Sequence, residues 1–179
     1  KVMLLFTAIQ DLRAIYNKLS SRKQRNFKVF AQTYQNIKDM IAGFKAEKGK
    51  AVLLGVEVFW KGISIEGPKG VVITRIPFPI PEPISDKRKD YLAFKYIEYK
   101  REVEKKSVTL SQALYVAFLH YNVNVAIQKL KQGIGRAIRT QNDYATVLLM
   151  DNRVITNKFY GKQILRELYK IVQPTFRGI

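Results

Sequence analysis

Cysteine is absent from the 179-residue chain, which excludes disulfides, thiolate zinc sites and an iron–sulfur cluster within these residues. Histidine is almost as scarce. His120 is the only imidazole, and its place after the apolar run Leu114–Leu119 reads as structural or surface rather than chemical. Long hydrophobic runs are missing too, none approaching the roughly 20 residues that span a bilayer. Lys1–Thr7 is too short for a secretory apolar region and lacks a small-residue cleavage site. The chain begins on a strand, which suggests a piece of something longer. Acidic residues are few, 14 against 32 basic ones, so the formal charge is +18, with the excess toward the two ends. Such a surplus favours a polyanionic partner, although lysines that merely keep a surface hydrated would give the same number. No Ser-His-Asp set and no Gly-rich dinucleotide loop speaks for a small-molecule enzyme.

What is present is a globular composition, 47% hydrophobic and 12% aromatic, in a length that suits one domain with an insertion. Short β-branched or aromatic runs alternate with stretches of helical period, the pattern of parallel βαβ units. Strands are expected at Val2–Phe6, Phe27–Ala31, Ala51–Val56, Gly70–Ile76 and Ala145–Asp151. Leu12, Ile15, Tyr16 and Leu19 mark one helical face, and Ile37, Met40, Ile41 and Phe44 a second. A last helix is expected over Ile164–Val172. Four prolines in Pro77–Pro83 require an extended connection, and residues 84–125 read as a helical insertion. The fold class is therefore α/β with a mainly parallel sheet. Ligands of such sheets sit outside the carboxyl ends of the strands, here Thr7, Gln32, Glu57–Gly62, Arg75 and Asp151–Arg153.

One segment carries chemistry. With Ile127–Arg139 as a helix, Ile127, Leu130, Ile134, Ala137 and Ile138 fall within an arc of about 100°, and Gln132, Arg136 and Arg139 within about 60° on the other side. Paired guanidiniums are planar, permanently charged forks that match phosphoryl oxygens. A solvated basic face is the other meaning of that pattern. Gly133 and Gly135 each cost about 0.8–1 kcal/mol in a helix interior, which suggests that another backbone or a ligand approaches closely there.

Gln132-Gly133-Ile134-Gly135-Arg136-Ala137-Ile138-Arg139 resembles the Q-x-x-G-R-x-x-R signature, motif VI, of superfamily 2 helicases, in the form similar to the DinG and XPD group of DNA helicases. Leu4-Leu5-Phe6-Thr7 resembles their motif IV. Gly55-Val56-Glu57-Val58-Phe59-Trp60-Lys61-Gly62-Ile63-Ser64-Ile65-Glu66-Gly67 resembles motif V, written G-x-x-x-F-W-E-G-(I/V)-D-x-x-G. Ile76-Pro77-Phe78-Pro79-Ile80-Pro81 is similar to the L-P-F-x-x-P element, and Asp151-Asn152-Arg153 to D-x-R. Five elements in order cover nearly the whole chain.

The resemblance implies a second RecA-like motor domain over residues 1–179. Arg136 and Arg139 would contact the phosphates of ATP bound by a first domain, Gln132 would position them or the attacking water, and Gly62, Ser64 and Gly135 would lie on the nucleotide side. Gly55, Phe59, Trp60 and Gly62 would shape the motif V loop, with Phe59, Trp60, Thr7 and Arg75 toward nucleic acid. For Trp60 a core-packing role stands equally open. Two departures, Lys61 for Glu and Ser64 for Asp, put efficient hydrolysis or its coupling to movement in question. No G-x-x-x-x-G-K-(S/T) loop is present, Gly43–Lys50 having the wrong spacing, and no Asp-Glu pair follows a strand to hold magnesium. ATP and Mg2+ are thus expected mainly on a first RecA-like domain of the same polypeptide, and this chain alone is expected to be inactive. The implied partner is single-stranded or forked DNA tracked 5′ to 3′, in a cytoplasmic, nucleoid-associated protein of bacterial type, with no membrane. The alternative is a non-catalytic nucleic-acid-binding module that keeps the fold.

Overall fold

A computed structural model describes residues 1–21, 26–33, 36–60, 70–136 and 144–171. Five strands, β1 (Val2–Leu5), β2 (Lys28–Ala31), β3 (Ala51–Gly55), β4 (Gly70–Ile73) and β5 (Thr146–Leu149), form one sheet in the order β2-β3-β1-β4-β5. Every pairing is parallel. The central strand β1 sets Val2 beside Val52 on one side and Gly70 on the other. Met3, Leu5, Leu53, Leu54, Val71 and Ile73 are buried, as expected of a parallel sheet covered on both faces.

The helices between strands follow from the sequence period. In α1 (Ile9–Ser20) the face Leu12, Ile15, Tyr16, Leu19 packs with Phe6, Ala31 and Leu54. In α2 (Ile37–Ala46), capped by Asn36 accepting from Lys38 N at 2.9 Å, Met40 and Phe44 are buried. Phe44 meets the edge of Phe30 at a ring separation of 5.8 Å.

The described residues fall into two compact units. The first holds residues 1–76 and 129–152, hence the whole sheet. The second holds 77–128 and the chain from 153 onward, so it takes in the C-terminal helices as well as the stretch read as an insertion. Its long helix α3 (Pro83–Glu102) starts on a proline, where a missing N–H costs nothing, and Ser85 Oγ accepts from Glu82 N at 3.0 Å. α3 packs on α4 (Leu110–Phe118) through Ala93, Ala113 and Ala117, flanked by Tyr96, Ile97 and Val108. α4 runs through a π-helical turn (Leu119–Val123) into α5 (Asn124–Ile134). Phe78, Phe118 and Tyr160 form an aromatic cluster, with the short α6 (Arg153–Thr156) and α7 (Gly161–Tyr169) closing the described chain.

β4 ends at Ile73, and Thr74 completes the ladder with β1, its N–H and its hydroxyl both donating to Leu5 O at 3.2 and 3.1 Å. β5 ends at Leu149, before the buried Asp151 carboxylate, which accepts from Ile76 N at 2.9 Å.

Candidate nucleotide and nucleic-acid site

Since all five strands run the same way, their carboxyl ends open on one edge, and there the sequence motifs meet. After β3 the chain makes a 3-10 turn (Glu57–Phe59) that lays Phe59 back over Gly55. A Cβ on Gly55 would stand 2.4 Å from the Phe59 ring, so only glycine admits this turn. Gln32, after β2, fixes the same loop by accepting from Val56 N at 2.9 Å. Phe59 and Trp60 emerge fully or nearly fully buried, at 0% and 3% exposure. Neither ring is available for stacking on a base in this conformation. They shape the loop from within.

Trp60 ties three motifs together. Its indole Nε1 donates to Phe6 O, at the end of β1, at 3.0 Å. Its ring covers Gly133 of α5, where a Cβ would lie 3.0 Å from the indole and 2.9 Å from Leu5 Cδ1. Its backbone carbonyl accepts from Arg136 Nη2 at 3.1 Å. The close neighbour of Gly133 is therefore packed side chain, not a ligand or a second backbone.

The motif VI helix is shorter than its apolar period suggests. Ile127, Leu130 and Ile134 are buried as expected, and Gln132 is exposed on the last turn. The helix then ends at Ile134, with Gly135 N donating to Lys131 O at 2.9 Å and Arg136 N to Gly133 O at 3.2 Å. Gly135 is exposed just past the helix end, where a Cβ would stand 3.3 Å from the Lys131 carbonyl oxygen of the helix's own last turn. Arg136 thus projects from a turn and not from a helical face, half-buried, with part of its guanidinium held by the motif V carbonyl. Arg139, Lys61, Gly62 and Ser64 lie outside the described residues.

Thr7 is exposed just beyond β1. Arg75 is exposed beyond β4, its guanidinium 3.6 Å from Asp11. Sequence reasoning placed both at strand ends. What it missed was the carbonyl of Trp60 as the acceptor for Arg136, a backbone partner that no residue type signals. Among the described residues no group of three or more His, Cys, Asp or Glu side chains could hold a metal ion.

The chain belongs to the helicase C-terminal domain family, whose model matches residues 1–171, and within it to the DinG/XPD type. A probable ATP-dependent helicase of Methanocaldococcus jannaschii is 30% identical over 159 residues, 84% of this chain and 23% of that protein. The ATP-dependent DNA helicase DinG of Photobacterium profundum is 29% identical over 132 residues, 72% of this chain and 16% of that protein. This chain therefore spans less than a quarter of either relative. A solved XPD helicase superimposes with a TM-score of 0.51 at 24% identity, covering 94% of this chain and 27% of that one, which agrees with the RecA-like fold. None of the described helices is long and apolar enough to cross a membrane.

Proposed function

We propose that the chain is the second motor domain of an ATP-dependent DNA helicase, acting on ATP bound by a first RecA-like domain of the same polypeptide. The observation that carries this reading is the Arg136 guanidinium, held by Trp60 O at the carboxyl edge of the sheet. A carbonyl on Nη2 fixes the plane of the guanidinium fork, and a fixed fork is the kind of preorganisation that stabilisation of transferring phosphate requires. Arg139, three residues on, supplies a second guanidinium, and Gln132 positions the arginines or the attacking water. Gly62, Ser64 and Gly135 border the nucleotide. Thr7 and Arg75, exposed at neighbouring strand ends, face the DNA strand, while Phe59 and Trp60 transmit nucleotide state through the motif V loop. The first domain supplies the phosphate loop and magnesium, and translocation runs 5′ to 3′ on single-stranded DNA.

The test replaces Arg136 by alanine in the intact protein and measures ATPase stimulated by single-stranded DNA. A drop on the order of 10³-fold or more is expected for a lost arginine finger. Wild-type turnover in the variant overturns the assignment. Direction is read from unwinding of duplexes with a 5′ or a 3′ tail, only the former being a substrate. Salt-sensitive DNA binding without any ATPase in the intact wild-type protein would favour the non-catalytic module, in which Lys61 and Ser64 mark a lost motor.

A further inference from the structure

The second unit presents a helix face that its own packing leaves uncovered. α3 turns Ala93, Tyr96 and Ile97 toward α4. On the opposite side it exposes Ile84, Tyr91, Phe94 and Tyr99, at 67, 62, 65 and 51% exposure, an apolar and aromatic face where charge alone would be expected. Interleaved with these are Lys87, Arg88 and Lys95, all exposed. Lys95 is hydrogen-bonded to Glu98 at 2.6 Å, whereas Lys87 and Arg88 make no ion pair among the described residues.

An open cavity of about 390 Å³ lies on this face, walled by Ile84, Lys87, Arg88, Tyr91, Leu92 and Tyr121. Tyr121 comes from the π-helical turn, a local departure that recurs at functional sites. Its neighbour Asn122 is buried with an Oδ1 that finds no hydrogen-bond partner among the described residues. The turn therefore costs stability, and one result of it is a second tyrosine on the cavity wall.

Two aromatic rings, an apolar floor, two cations without acidic partners among the described residues and no acid in the lining match a nucleotide better than they match a peptide. The base is flat and apolar on its faces, and the phosphate is anionic. Along the helix the pattern repeats at Tyr91, Lys95 and Tyr99, spaced by four, so the complementary ligand is a strand and not a single nucleotide. The +18 charge of the chain has the matching sign.

We propose that this face of α3 seats single-stranded nucleic acid, one base against Tyr91 and Tyr121 with its phosphate on Lys87 and Arg88, and the strand continuing past Lys95 and Tyr99. The proposal rests on the DNA-helicase reading and adds to it a binding surface outside the motif-bearing sheet edge.

The experiment measures anisotropy of labelled oligo(dT) with the intact protein over a salt series. Tyr91→Ala should weaken binding by about fivefold or more at every salt concentration, leaving the salt slope unchanged, and Tyr91→Phe should restore it. The double variant Lys87→Gln, Arg88→Gln should flatten the slope of log K against log salt by about 0.7 for each phosphate it no longer neutralises. If the wild-type protein binds no oligo(dT), the helicase reading falls together with this one. If it binds and the variants match it in affinity and slope, the α3 seat alone falls. A lower melting temperature or ATPase in Tyr91→Ala at unchanged oligo(dT) affinity would mean that protein covers this face, and that too overturns the proposal.

Discussion

Arg136 Nη2 donates to the backbone carbonyl of Trp60 at 3.1 Å, so a motif VI arginine is held by the motif V loop 76 residues earlier in the chain. The same tryptophan donates its indole N–H to Phe6 O and lies over Gly133. A shift of the loop after β3 must therefore move the end of β1, the end of α5 and the guanidinium together. On the proposed function, that linkage is how a nucleotide at Arg136 and a nucleic-acid strand at the sheet edge bias each other.

Because the acceptor is a main-chain carbonyl, stability and activity separate at Arg136. In Arg136→Ala the fold loses the charged hydrogen bond to Trp60 O, about 1.5–3 kcal/mol and less for a half-exposed group. The expected melting temperature lies within several degrees of the parent, while DNA-stimulated ATPase of the intact protein collapses. Scanning calorimetry beside a steady-state assay checks this. An unfolded Arg136→Ala protein would make the residue a structural clamp and nothing more.

Trp60→Phe should behave in the opposite way. It keeps the carbonyl that holds Arg136 but removes the indole donor to Phe6 O, a buried bond, and shrinks a packed ring. An orphaned carbonyl costs about 1–3 kcal/mol, and the lost volume adds to it. Denaturant titration should register a loss of about 2 kcal/mol or more. A midpoint equal to the parent's would remove the indole from its place as the tie between motifs.

Asp151 tests the other end of the sheet edge. Its carboxylate, 8% exposed, accepts from Ile76 N at the point where the chain leaves β4. Asp151→Ala leaves that buried N–H without this acceptor, at about 1–3 kcal/mol. Asp151→Asn retains an acceptor oxygen and should lose less. Equal losses for the two variants would assign the effect to the negative charge and not to the hydrogen bond.

The strands, the parallel sheet and the buried face of α1 were legible because β-branched runs and a 3.6-residue period report burial directly. Strand ends were not. Gly70–Ile76 reads as one strand, yet β4 ends at Ile73, and past Thr74 the chain is held by a long-range bond, Ile76 N to the Asp151 carboxylate, that local pattern cannot encode. The motif VI helix reads as too long for a related reason. Ala137 and Ile138 continue the apolar period in sequence, whereas the helix ends at Ile134. The arginine's importance was visible in the motif. Its partner was not, being a backbone atom.

The two close-packed glycines give the sharpest comparison. At Gly133 an added methyl meets the end of the Leu5 side chain at 2.9 Å and the indole at 3.0 Å, and alanine gains about 0.8–1 kcal/mol of helix propensity. Overpacking of about 1–3 kcal/mol then leaves Gly133→Ala near neutral to about 2 kcal/mol destabilised. At Gly55 the methyl would lie 2.4 Å from Phe59 Cγ and Cδ2 and 2.7 Å from its Cβ, inside the stem of a residue with 0% exposure. The ring cannot swing clear without undoing the 3-10 turn, so Gly55→Ala should be the worse of the two and should lower the melting temperature the more. Phe59→Ala alone costs about 3–5 kcal/mol through its cavity. In the double variant the clash is gone, and the combined loss should fall short of the sum of the singles by about 0.5–3 kcal/mol. Strict additivity in that cycle would show that Phe59 is not what keeps residue 55 a glycine.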